Sequence, residues 1–195
     1  MAQRGDREFD PTTSLQYSST PDEHLIAYNS ETGLSQLTRL DPVNNELLLD
    51  SDTLVVHSDG MSQYAYDTGE SRVCFDIYFG PVSPWNLVRF LDRFYSQADY
   101  LSKIEALFDA LTIVQQILAV HPEIKKVKIK TPSSRIVRLF SVWIWKYVTR
   151  NGRTSNNLLV PYYQKMLTIH RDLIRLDNNG VHVQFWEYPS NKVPE

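Results

Sequence analysis

The chain has 195 residues, which suits one domain with an extension and is short for two independently cored domains. Hydrophobic residues make up 42% and charged residues 22%, a composition that excludes disordered, fibrous and membrane-spanning classes. The single Cys74 can form neither an internal disulfide nor a structural zinc site. With no signal-peptide pattern and no apolar run of membrane length, we expect an intracellular protein, cytoplasmic or nuclear, with no membrane contact.

The charges are unevenly distributed along the chain, although the net charge is only -3. From Ile124 to Arg171 there is no Asp or Glu, yet this stretch holds 11 of the 20 Lys and Arg residues. The rest of the chain carries nine basic and 23 acidic residues. Such asymmetry within one domain favours a basic face for a polyanion. A solvated face that merely lacks acids gives the same pattern, and charge does not separate the two.

The first half of the chain contains few periodic segments. Residues 1–45 show no sustained period, so we expect a largely irregular N-terminal extension followed by a domain at 46–195. The β-branched run Thr53–His57 predicts a buried strand that stops at a turn, Asp59-Gly60. Arg72–Phe79 predicts a second strand.

The middle of the chain has stronger signals. The apolar residues of 84–97 fit a short helix or a further strand. A helical stripe predicts a helix from about Ser102 to Val120. Lys126–Lys130 alternates in strict period two, which predicts a strand with Val127 and Ile129 inward and the lysines outward.

The last third predicts two helices and a strand. Ser133 or Ser134 can cap a helix at Arg135–Tyr147, and Pro161 opens another that runs to about Asp177. Val181–Trp186 predicts the last strand. This order indicates an α/β layered domain whose middle strands, linked by helical crossovers, run parallel.

Common catalytic motifs are missing from the sequence. There is no Gly-rich phosphate loop, no GxSxG elbow and no His pair at i and i+4. The candidates for acid chemistry are Asp59, at a strand end, and Glu105, near the start of the long helix. An Asp before Gly is more often a turn residue, and an early helical Glu more often favours the helix dipole.

Five segments together resemble the type 1 ribonuclease H family, particularly its fungal members. They are Val55–Gly60, Ile104–Ala106, Val127–Thr131, Trp143–Trp145 with Arg150–Ser155, and Val183–Trp186 with Pro189. The resemblance spans roughly Leu54 to Pro189 and implies a mixed five-stranded sheet flanked by helices. It also implies cleavage of the RNA strand of RNA/DNA hybrids with two divalent metal ions, which several converging carboxylates would hold.

The family's site residues transfer only in part. Asp59 matches the first-strand Asp and Glu105 the helix Glu, whereas Pro132 stands where the family has a metal-bridging Asp. The last strand is followed only by Tyr188–Glu195, so we expect the domain to lack the family's C-terminal helix with its fourth Asp. The resemblance therefore implies a degenerate catalytic site that binds Mg²⁺ weakly if at all, through Asp59 and Glu105, and no other cofactor.

The basic stretch then suggests sequence-independent binding of an RNA/DNA hybrid or duplex. The candidate binding residues are Lys128, Lys130, Arg135, Arg138, Arg150 and Arg153. The aromatic residues Trp143, Trp145 and Tyr147 share a helix with many apolar residues, so we expect them to fill the core rather than stack on bases.

Two other functions fit the same residues. One is an active hybrid-cleaving nuclease that uses Asp59, Glu105 and a third acid such as Glu195 or Asp76. The other is a protein-interaction module whose basic face meets an acidic partner of unknown identity.

Overall fold

The structure is a computed structural model that describes residues 7–65, 70–91 and 98–188. Within these residues, eight strands form one sheet, and helices lie between the later strands. The strands are β1 (Ile26–Asn29), β2 (Leu34–Leu40), β3 (Leu47–Leu49), β4 (Thr53–Ala65), β5 (Glu70–Tyr78), β6 (Leu87–Leu91), β7 (Lys126–Thr131) and β8 (His182–Glu187). The helices are α1 (Ala98–Val120), α2 (Ser134–Arg138), α3 (Ile144–Thr149) and α4 (Tyr163–Asn178), with a π-helical turn at Leu139–Trp143 and a 3-10 turn at Asp22–His24.

The sheet combines an antiparallel half and a parallel half. Strands β1, β2, β4, β5 and β6 follow one another, and neighbours in this series pair antiparallel. On the other edge of β4, β7 pairs parallel with it, and β8 pairs parallel with β7. Helix α1 precedes β7, and α2 to α4 connect β7 to β8, so the predicted parallel pairing across helical crossovers is confirmed.

The prediction of a largely irregular segment over residues 1–45 is wrong, because β1 and β2 lie there; together with β3 they extend the expected five strands to eight. The buried polar residues of β2 hid its strand pattern. The Gln36 amide donates to the carbonyls of Ser51 (3.0 Å) and Thr53 (3.2 Å), and the Thr38 hydroxyl donates to the carbonyl of His24. Such bonds allow polar residues inside, which the hydrophobic period cannot report.

The turn predicted at Asp59-Gly60 is also wrong, because β4 continues through both residues to Ala65. Gly60 serves the packing of α1 instead. A Cβ at this position would meet the backbone of Ser102 and stand 2.6 Å from the nitrogen of Lys103. A glycine inside a strand thus marks a close approach of another backbone.

The remaining predicted elements form close to their expected bounds. Residues 84–97, left open between helix and strand, contain β6 within their described part. The helix expected at Arg135–Tyr147 forms as α2, the π-helical turn and α3, and the Ser133 side chain caps it by accepting the N–H of Ile136. The main core lies between the sheet and the helices and includes Ile104, Phe140 and Phe185.

A second, smaller apolar cluster covers part of the other sheet face. The N-terminal segment runs beside β8, where the N–H of Phe9 bonds to the carbonyl of Phe185 (2.9 Å) and the N–H of Phe185 to the carbonyl of Arg7 (2.7 Å). Phe9 and Tyr17 pack there with Trp186. The segment before β1 is therefore an integral part of the fold.

Among the helices that the structure describes, none is both long and apolar enough to cross a membrane.

Candidate functional site

Five exposed cations of the acid-free stretch lie on one helical run and the loop after it, whereas Lys125 and Arg171, which are also exposed, lie elsewhere. We call this region the basic helical surface; its exposed cations are Arg135, Arg138, Lys146, Arg150 and Arg153. At about 1.5 Å per residue, the helical run from Arg135 to Arg150 is about 22 Å long. This length matches several consecutive phosphates of a duplex.

A cleft of about 450 Å³ lies at the C-terminal end of α3, within the basic helical surface. The cleft joins cations, hydroxyl groups and two aromatic rings: Trp143, Lys146, Tyr147, Thr149, Arg150, Thr154 and Ser155. Ammonium, guanidinium and hydroxyl groups are the usual side-chain donors to phosphate oxygens. Sequence reasoning missed Lys146 and the hydroxyl residues, although Asn-Gly-Arg-Thr-Ser at 151–155 marked this turn.

The turn behind the cleft is formed by Asn151 and Gly152, which have φ angles of 49° and 78°. The N–H of Gly152 bonds to the carbonyl of Tyr147 at 2.8 Å and so ends α3. A Cβ on Gly152 would collide with the ring of Tyr163, so glycine is required for both its angle and its packing. The turn brings Thr154 and the following residues against the end of α3.

Trp143, Trp145 and Tyr147 of this helical run all pack against the main core, and two of them also form the wall of the cleft. Trp143 and Tyr147 belong to this second group. Trp145 lies elsewhere, with its ring edge-on to His170 at 4.5 Å and 4.9 Å from the guanidinium of Arg7. Only Trp143 and Tyr147 are therefore placed to meet a ligand.

Lys128 does not belong to the basic helical surface, which corrects the prediction that it binds nucleic acid. Its side chain is only 3% exposed, with Nζ 4.2 Å from the ring centre of Phe9 and donating to the amide oxygen of Gln184. Burial lowers the pKa of Lys128 to about 8. The expectation of outward lysines along β7 fails here because the N-terminal segment covers this face.

Lys130 is on the same sheet face as Lys128, away from the basic helical surface. Its Nζ lies 4.5 Å from the ring centre of Trp186 and 5.1 Å from that of Tyr188. Arg135 is exposed but packs its guanidinium 4.1 Å over the ring of Tyr100. The predicted basic set is thus divided, and Arg138, Arg150 and Arg153 remain as exposed members of it beside Arg135.

Asp59 forms a cross-strand pair with Asp76 of β5. Burial raises the pKa of Asp59, even though its carboxylate accepts the N–H of Gly60 at 2.8 Å and lies near Lys103. Burial and the charge of Asp59 raise the pKa of Asp76. The structure thus brings together Asp59 and an acid that has no role in the family resemblance.

Glu105 has different neighbours. Its carboxylate forms an ion pair with Lys165 of α4, and its charge acts on Asp109. Across the described parts of the chain, no three His, Cys, Asp or Glu residues gather into a group that could hold a metal ion. Glu105 is therefore available to a metal only if this ion pair breaks.

Pro132 lies level with Asp59 in the parallel half of the sheet. The register pairs His57 with Lys130, and Asp59 and Pro132 each follow two residues later. The replacement of a metal-bridging Asp by Pro132 stays a prediction from the resemblance. The cyclic side chain supplies no oxygen there.

Comparison with known proteins gives structural similarity only. No protein-family model and no curated protein matches the sequence. The foamy viral protease-reverse transcriptase in complex with dsDNA is 14% identical, with a TM-score of 0.53, over 70% of this chain and 81% of that one. The complex of that viral enzyme with RNA/DNA hybrid is 13% identical, with a TM-score of 0.51, over 70% of this chain and 17% of that one.

The solution structure of the PFV RNase H domain is 14% identical, with a TM-score of 0.49, over 70% of this chain and 78% of that one. The chain has a ribonuclease H-like fold. At these identities the similarity establishes the fold of the ribonuclease H-like domain and leaves its chemistry to its own residues.

Proposed function

We propose that this ribonuclease H-like domain binds nucleic acid, either an RNA/DNA hybrid or a duplex, without reading its sequence. The observation that carries the proposal is the basic helical surface, a run of exposed cations beside a cleft lined by Lys146, Arg150 and three hydroxyl residues. The foamy viral complexes with dsDNA and with RNA/DNA hybrid support a nucleic-acid ligand for this fold.

The chemistry of the surface favours phosphates over bases. Arginine side chains hold phosphate oxygens through paired N–H groups, and such contacts carry no sequence information. The two cleft aromatics, Trp143 and Tyr147, are partly buried against the core, so they are better placed to contact a sugar than to unstack a base.

We further propose that the catalytic site is degenerate. Pro132 replaces one acid, Glu105 forms an ion pair with Lys165, and burial raises the pKa values of Asp59 and Asp76. Mg²⁺ dehydrates reluctantly, so a site with two such carboxylates binds it weakly. Hybrid incubated with millimolar Mg²⁺ should therefore remain intact.

One observation favours the alternative, an active hybrid ribonuclease. Asp76 stands opposite Asp59 on the neighbouring strand and supplies a second carboxylate beside it, although not at the position of Pro132. Cleavage of labelled hybrid that requires Mg²⁺ or Mn²⁺ and disappears in Asp59→Asn would establish this alternative and refute the degenerate site.

The binding proposal is tested by replacing two arginines of the basic helical surface. Arg138→Ala/Arg150→Ala should weaken hybrid binding at least tenfold at about 50 mM salt and lower the log–log salt slope by about 1.5. Arg135 is left intact because its guanidinium packs on Tyr100 and its loss would disturb folding.

The matched control removes two cations from other exposed positions, Arg39→Ala/Lys125→Ala. It changes the net charge equally, so it should leave affinity within about threefold. Equal weakening in both pairs would refute the assigned surface. A wild-type protein with no measurable hybrid binding at 50 mM salt would refute nucleic acid as the ligand and favour the protein-interaction module.

A further inference from the structure

The sheet face opposite α1 is exposed over β4, β5 and β6 in the described part of the chain. We call it the open sheet face; its side chains lie in three cross-strand rows, Met61–Cys74–Phe90, Asp59–Asp76–Val88 and His57–Tyr78. Four of its apolar or aromatic residues are strongly exposed: Met61 (49%), Tyr78 (38%), Val88 (67%) and Phe90 (67%). Contiguous apolar surface of this kind marks interaction sites.

The alternation of residues along the edge strand β6 places two apolar side chains on the open sheet face. Its charged residue, Arg89, lies on the α1 side of the sheet, where its half-exposed side chain pairs with Asp109 of α1 at 2.6 Å and lies over the ring of Phe75. Val88 and Phe90 turn outward. A solvated antiparallel face normally carries the polar residues, so Val88 and Phe90 depart from the usual arrangement.

Two carboxylates lie in the middle row of this apolar face. Asp59 and Asp76 are directly opposed, a placement that is unfavourable for two like charges. Among the ion pairs of the described residues, neither forms one: the nearby Lys103 is bonded to Asp99 at 2.6 Å, and Lys130 lies over the rings of Trp186 and Tyr188. A cation from outside the domain would neutralise this pair.

The other half of the same sheet face is covered by the N-terminal segment. There the rings of Phe9 and Tyr17 pack against Val55 and Trp186. The covered half thus buries apolar side chains from another segment. The open half also exposes apolar side chains, and it carries Asp59 and Asp76 among them.

We propose that the open sheet face docks a basic amphipathic helix of a partner protein. Three strands spaced about 4.8 Å apart give a platform about 10 Å wide, which matches the diameter of one helix. Apolar residues of the helix cover Val88 and Phe90, and a Lys or Arg on its border meets Asp59 and Asp76. Such a helix follows the groove-binding pattern of anchors at i, i+3, i+4 and i+7.

The charge of the face decides against two other occupants. A second copy packed face to face would bring four carboxylates together, and such like-charge contact is unfavourable. Nucleic acid would place its phosphates against the same carboxylates. The proposal is independent of nucleic-acid binding by the basic helical surface, because that surface is formed by α2, α3 and the loop that follows.

The test uses the whole chain and a 14-residue helical peptide of Leu and Lys, followed by fluorescence anisotropy of a labelled peptide. The peptide should bind the wild type, and Asp59→Asn/Asp76→Asn should weaken binding about tenfold. Phe90→Ser should weaken it by a similar factor, because it removes an apolar anchor. A peptide in which Glu replaces every Lys should not bind.

The matched control is Glu23→Gln/Glu31→Gln, which removes the same charge from exposed positions elsewhere. It should leave peptide affinity within about twofold. All substituted side chains are exposed or half-buried, and circular dichroism checks that each variant is folded.

Several results would overturn the proposal. Equal weakening by the control pair would show non-specific charge attraction, and binding of the Glu peptide would show that charge does not select the partner. Sedimentation of the wild type as a dimer that Phe90→Ser disperses would assign the face to a second copy. Loss of hybrid binding in Asp59→Asn/Asp76→Asn would assign it to nucleic acid.

Discussion

The buried contact between Arg7 and His170 should make the fold sensitive to acid. The Arg7 guanidinium donates to the carbonyl of Phe140 (3.1 Å) and lies 3.2 Å from Nδ1 of His170, and both side chains are buried. Nδ1 can accept this bond only when it carries no proton. Burial and the charge of Arg7 lower the pKa of His170 to about 4. Protonation would set two cations against each other and release the N-terminal segment.

The size of the effect follows from linkage. A histidine whose pKa is lower in the folded protein than in the unfolded chain stabilises the fold above pH 6.5, and this contribution is lost as the pH falls toward 4. With values of about 6.5 unfolded and about 4 folded, the loss between pH 7 and pH 5 is about 2 kcal/mol.

The experiment compares urea unfolding of the wild type and His170→Gln at both pH values. Gln can still accept the Arg7 bond but does not titrate, so the variant should lose about 2 kcal/mol less than the wild type between pH 7 and pH 5. The control, His24→Gln, replaces an exposed histidine outside this contact. Equal losses of the free energy of unfolding between pH 7 and pH 5 in His170→Gln and the wild type would refute this role of His170.

Three further substitutions test other parts of the structure. Lys128→Met should raise the free energy of unfolding at pH 7 by about 1 kcal/mol, because it removes a buried charge, and should leave hybrid affinity unchanged. Asp76→Asn should stabilise the protein by about 0.5 kcal/mol at pH 7, since it relieves repulsion by Asp59. This gain should shrink toward pH 4, because a carboxyl whose pKa is raised in the fold destabilises only when ionised. Gly60→Ala should cost about 3 kcal/mol in thermal unfolding, because its Cβ would meet the backbone of Ser102.

Local pattern predicted most of the later elements. The apolar stripe indicated α1, the period of two indicated β7, and Ser133 caps the helix that follows it. These features depend on neighbours within a few residues, so the sequence carries them directly. The acid-free basic stretch likewise indicated which part of the sequence carries the basic helical surface.

Which face of each strand is covered was decided by the tertiary structure. Strict alternation along β7 separates the lysines from Val127 and Ile129, but it does not show that the distant Phe9 covers the lysine face and buries Lys128. The pairing of Asp59 with Asp76 depends in the same way on the register between β4 and β5.

The chemistry of the carboxylates was decided in the same way. Sequence alone indicated Asp59, Glu105 and the substitution at Pro132, whereas the fold joined Glu105 to Lys165, 60 residues away. By itself, the sequence determined which segments become helix or strand and where positive charge collects. Burial, ion pairing and pKa depend on contacts between residues far apart in the chain, and these exist only once the sheet and its helices have assembled.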